Sequence, residues 1–184
     1  MTLSIHQRQT LINQHKILEK LSDDKDDKKY HQTMQEVYHS GFEYEYFEYG
    51  PSEDALSVDD CKFVYEVVNM YDDLYFGWNN NEDIKKNIDE YKVMFPGFDL
   101  NDSHEYKLYS YTKFLIEDLG KFHDTSDLLK NGKIRELNSH GAGPGKHGYK
   151  LMLQKFQIHN AKRIKREDFQ FTVEEIQDIV NPFK

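Results

Sequence analysis

Residues 57–78 constrain the fold more than any other stretch of this chain. Val64, Val67, Val68, Tyr71, Leu74, Tyr75 and Trp78 recur at gaps of three and one. That rhythm sets all of them on one side of an α-helix. Ser57, followed three residues later by Asp60, is a start signal: the hydroxyl accepts an early backbone N–H and the carboxylate reaches back. A helix from there to Trp78 is about 30 Å long, enough to cross a small domain. Each large apolar side chain contributes about 1.5–3 kcal/mol on burial, so this helix supplies much of the core. Cys61 falls on the same stripe. It reads as a small hydrophobe, because apolar surroundings suppress a thiolate.

The bulk properties narrow the function classes. A chain of 184 residues is read as one domain, with a helical appendage at most, and can bury a core without crosslinks. Cys61 is the only cysteine, so no intrachain disulfide can form and a reducing, cytoplasmic setting is expected. No apolar run is long enough to span a bilayer, and the N-terminus lacks the apolar core of a secretion signal. A net charge of −9 argues against nucleic acid and anionic membranes as partners. With 13 Tyr and 12 Phe against 4 Pro, the core is expected to be aromatic, with phenolic hydroxyls at its edge.

N-terminal to the central helix, Ser4 and Gln7 fit a capping box for a helix to Leu21, with Leu11, Leu18, Leu21, Ile12 and His15 as its stripe. Residues 22–29 contain no apolar side chain and read as a solvated turn; they lack EF-hand spacing. A second helix is expected over Tyr30–Ser40, with Tyr30, Met34, Val37 and Tyr38 inward and Gly41 as a left-handed cap. The short turn implies an antiparallel hairpin. Glu36 and His39 have di-iron spacing, but no second copy exists to complete such a site. Residues 42–49 fit both a half-buried strand and a helix; a brief extended segment is expected, with Phe169–Phe171 as its only plausible pairing partner. Gly50-Pro51-Ser52 then breaks the chain.

Beyond the central helix, Gly77 either permits close contact or marks fraying. A short helix is expected over Asp83–Met94, with Ile84, Ile88, Tyr91 and Val93 available to the core. Phe95-Pro-Gly-Phe-Asp99 is a tight aromatic turn. Asp102 or Ser103 should cap a long helix to about Phe122, its inward residues being Leu108, Thr112, Leu115, Leu119 and Phe122. Residues 123–148 read as mostly irregular. Another helix follows over Tyr149–Ala161, and Thr172 with Glu175 opens a last one.

Taken together, several stretches resemble the YfbU family of small bacterial helical proteins. They are Asn13-Gln14, Met70-Tyr71 with Leu74 and Trp78, the Phe95–Asp99 turn, Tyr111 with Phe114-Leu115, Asn138-Ser-His140, and Tyr149 with Met152-Leu153. Their order and spacing carry the resemblance, which covers nearly the whole chain. It implies a multi-helical fold, bacterial origin, a cytoplasmic location and self-association, and it implies no reaction. The glycine-rich run Gly141–Gly145 is a departure from the family pattern.

The chemical motifs are sparse. Lys146 follows a glycine-rich loop, but His140 and His147 stand where a P-loop needs Gly and Ser or Thr. Ser139 and His140 are adjacent, which seldom lets a nucleophile face its base. No His pair has helical i, i+4 spacing for a metal. Lys162–Arg166 is a local basic cluster suited to a helix C-terminus. The expectation is therefore an all-α bundle of six to seven helices over 1–184, with 1–41 a candidate hairpin subdomain and room for one very short β pairing. The expected function is a self-associating, non-catalytic interaction module without cofactor, with a protein partner also considered. The alternative is a small-ligand or hydrolytic site lined by Tyr71, Trp78, Asp99, Asn138 and His140.

Overall fold

The structure, a computed structural model, describes residues 3–43, 45–48, 55–166 and 170–183. It is all-helical: among the described residues there are ten α-helical segments, one π-helical segment and no strand. The chain forms two compact units, residues 1–55 and 56–184.

In the first unit, α1 (Ile5–Leu21) starts with the capping box read from Ser4 and Gln7. The second helix, α2 (Lys25–Ser40), begins five residues before the expected Tyr30, because Asp24 accepts the N–H groups of Asp26 and Asp27. Gly41 ends it at φ 73°. The two helices run antiparallel. Glu19 accepts from Gln32 and Gln35, His15 Nδ1 lies 3.0 Å from His31 Nδ1, and Arg8 donates to the Tyr38 carbonyl. Ile12, Met34, Val37, Tyr38 and Tyr46 form the core. Because α2 docks on the side of α1 that carries Ile12, His15 and Glu19, Leu18 and Leu21 of the expected stripe are exposed, as is Tyr30. The extended segment expected from Phe42 is instead partly helical: α3 (Glu45–Glu48) places the Tyr46 ring 5.2 Å from that of Tyr38. Tyr44, the break at 50–52 and Phe169 lie outside the described residues.

The second unit is built around α4 (Val58–Asn79). Val64, Val67, Val68, Tyr71, Leu74 and Tyr75 are buried as expected, with Met70 added, while Trp78 is only partly buried. Gly77 serves close contact: a Cβ there would stand 3.2 Å from the Phe171 ring. The helix expected over 83–94 is two: α5 (Glu82–Asn87) and α6 (Glu90–Val93). Between them Ile88 is extended, and its carbonyl accepts the Trp78 indole N–H at 2.8 Å. Tyr91 is exposed. Phe95 and Phe98 are buried, and Gly97 at φ 92° lets the turn lie against Leu137. An isolated parallel bridge joins Phe98 to Asn138.

The long helix expected to Phe122 stops sooner. The helix α7 (Glu105–Lys113) passes into a π-helical segment, Phe114–Asp118, and Gly120 then turns the chain at φ 62°. Leu119 is exposed, and Phe122 is buried from a left-handed backbone at φ 59°. Residues 123–148 are not wholly irregular, because α8 (His123–Lys130) packs on α4. The remaining helices are α9 (Gly145–Arg166) and α10 (Val173–Val180), the latter opened by the Thr172–Glu175 capping box. No helix among the described residues is long and apolar enough to cross a membrane.

Candidate functional site

The Phe98–Asn138 bridge brings the Asp99 turn against the loop of Asn138 and His140. Asn138 is buried, and its Oδ1 accepts the N–H groups of Leu100 and His140 at 3.1 and 3.0 Å. Asp99 Oδ1 accepts the N–H of Asn101. The His140 backbone is left-handed at φ 48°. Its Nδ1 lies 3.2 Å from Asn138 Nδ2 and its Nε2 2.9 Å from Glu136 Oε1. Since the amide nitrogen can only donate, Nδ1 accepts, and the proton sits on Nε2 facing Glu136. The His140 contact holds the Glu136 carboxyl below its ordinary range. Asn138 and His140 line an open cleft of about 400 Å³ with Phe95, Pro96 and Lys133.

Tyr71, Trp78 and Asp99 do not line that cleft. Tyr71 is buried among Phe95 and Tyr149, its hydroxyl directed at Met152 Sδ, and burial raises its pKa. Trp78 stacks on Tyr75 at 5.7 Å. Ser139 is buried on the bridge, and both ring nitrogens of His140 are engaged with other residues. Adjacency in sequence has therefore not made a nucleophile–base pair here.

The glycine-rich loop ends at a helix start that is already capped. Glu105, buried at the start of α7, accepts the Lys146 N–H through Oε1 and the Asp99 N–H through Oε2. A carboxylate thus stands where a phosphate would bind. The Lys146 ammonium turns away to Asp60 and His104. At the far end of α9, Arg163 covers the Phe171 ring and Arg166 pairs with Glu175.

A second cleft, of about 490 Å³, was not evident from sequence. Tyr65, Asp72, Asp73 and Phe76 of α4 face Lys121, Phe122 and Asp124 across it. Asp72 Oδ1 accepts from the Thr125 N–H and hydroxyl, tying α4 to the first turn of α8. Burial raises the carboxyl pKa of Asp72, Asp73 and Asp124; at Asp73 the Arg163 charge works against that rise, and Asp72 adds to it at both Asp73 and Asp124. A signal was present: Tyr65, Asn69, Asp72 and Phe76 share one flank of α4 at helical spacing. The opposite wall is not visible in the same way, because α8 carries polar residues that resemble a loop. No group of three or more His, Cys, Asp or Glu among the described residues is placed to hold a metal.

The fold and its sites define a helical protein of two units, the second built around one long aromatic helix. The YfbU domain model matches residues 1–182, spanning both units, and the chain belongs to the YfbU family.

Proposed function

We propose that this protein works by self-association, as a non-catalytic interaction module whose interface is the outer face of α1. The observation that carries the reading is the exposure of Ile17, Leu18 and Leu21 on the α1 flank turned away from α2. Exposed apolar clusters of this kind mark interaction surfaces. The unit that bears them has a small core of its own, and domains of this size are marginal alone. A second copy laid on that face would bury the exposed side chains of both chains at once, as in a four-helix bundle. A cytoplasmic setting fits the single cysteine.

Light scattering tests this. The parent protein is expected to have the mass of an oligomer at micromolar concentration. The double variant Ile17→Asp, Leu21→Asp is expected to be a monomer with unchanged helicity. A parent protein that is monomeric throughout would overturn the reading.

A second reading is ligand binding in the cleft beside His140, favoured by the Glu136–His140 pair at its mouth. Thermal-shift screening of parent and His140→Ala tests it; a compound that shifts the parent and not the variant would support it.

A further inference from the structure

The cleft between α4 and α8 combines three features that point to one ligand chemistry. Its walls are aromatic: the Tyr65 and Phe122 rings pack edge to face at 5.0 Å, and the Phe76 ring on the same helix is 62% exposed. Carboxylates line the cleft as well: Asp72 is committed to Thr125, Asp73 feels the Arg163 guanidinium, and Asp124 stands on the opposite wall. An ammonium group is also present: Lys121 Nζ stands 5.1 Å over the centre of the Tyr65 ring. Ring faces attract such cations through their quadrupole, most strongly where water is thinned.

The backbone around Lys121 is unusual. It lies between Gly120 at φ 62° and Phe122 at φ 59°, directly after the π-helical segment. A bulky residue held left-handed stores strain, and π segments of this kind recur at functional sites. Here the strain turns the Phe122 ring inward and leaves Lys121 on a flexible stem at the cleft edge.

We propose that this cleft binds a small aliphatic diamine, with Tyr65, Phe76 and Phe122 holding its methylenes and Asp73 and Asp124 its charges. Lys121 is the internal occupant that the ligand displaces. A diamine would place one cation at each wall, at Asp73 on α4 and at Asp124 on α8. The net charge of −9 raises the local concentration of cations and speeds their entry.

Calorimetric titration of the full chain with 1,4-diaminobutane at low salt tests the proposal. Saturable binding is expected, with none for 1,4-butanediol, which has the same length and no charge. Phe76→Ala, a substitution at an exposed position, is expected to weaken binding about tenfold. Asp124→Asn is expected to weaken it as well, whereas Lys121→Ala, by removing the internal cation, is expected to tighten it. Absence of saturable heat with the diamine in both the parent and Lys121→Ala would overturn the proposal. So would equal binding by Phe76→Ala, or equal heat from magnesium chloride, which would mean that the carboxylates act as a plain cation sink.

Discussion

Glu105 caps the longest C-terminal helix from outside it: its Oε1 accepts the backbone N–H of Lys146 at 2.8 Å across 41 residues of sequence. The other oxygen holds the Asp99 N–H at 2.9 Å, so one buried carboxylate fixes the aromatic turn and the end of the glycine-rich loop together. Glu105→Ala leaves both donors without their acceptor and is expected to cost about 2–4 kcal/mol. Glu105→Gln, which keeps one acceptor oxygen, should cost less. Urea denaturation checks the ordering, and amide exchange should accelerate at Asp99 and Lys146 first.

The turn at Gly97 should tolerate no side chain. Its φ is 92°, and a Cβ there would sit 2.1 Å from the Leu137 carbonyl oxygen, which is backbone and cannot swing aside. Gly97→Ala is expected to destabilise the second unit by roughly 3 kcal/mol or more. It should also separate Phe98 from Asn138, seen as faster exchange of the Ser139 amide, which bonds the Phe98 carbonyl. A denaturation midpoint unchanged by this substitution would contradict the packing described.

The helix pair of the first unit should weaken in mild acid. His15 Nδ1 and His31 Nδ1 are 3.0 Å apart, a contact that needs at least one ring unprotonated. Burial, then the neighbouring His31, lowers the pKa of His15 below 6.5. As pH falls below that value the unfolded chain takes up the proton first, so stability drops and continues to drop through the folded pKa. Amide protection in α1 and α2, measured against the intrinsic exchange rate at each pH, is expected to fall as pH drops from about 7 to 5. His15→Gln should flatten that dependence, while His31→Gln, which removes only the smaller cause, should flatten it in part.

The parts of the fold that were legible in sequence are those in which local chemistry and tertiary packing agree. The central helix carries an unbroken apolar period, Ser4 and Thr172 have their capping partners three residues on, and Gly41 takes the left-handed cap. The α8 helix was not legible because it buries Thr125 and Ser126, polar residues that look like loop. Thr125 is accommodated by Asp72, more than fifty residues earlier, which no local pattern reveals. The stretch to Phe122 misleads for the opposite reason. Its apolar spacing continues after the α-helix has ended, because Phe122 reaches the core from a left-handed backbone. Asp99, Asn138 and His140 were named from sequence, but their meeting depends on the long-range Phe98–Asn138 bridge. Tyr71 and Trp78 share one stripe of α4, and packing in and against the core accounts for them.

Self-association through α1 is tested most directly by nuclear Overhauser contacts between copies. A sample mixing isotope-labelled and unlabelled chains, observed through the methyl groups of Ile17, Leu18 and Leu21, isolates contacts that cross from one molecule to another. Intermolecular contacts from these three residues are expected, together with their loss in the Ile17→Asp, Leu21→Asp variant. Methyl groups that meet only water, in a sample whose mass is that of one chain, would contradict it.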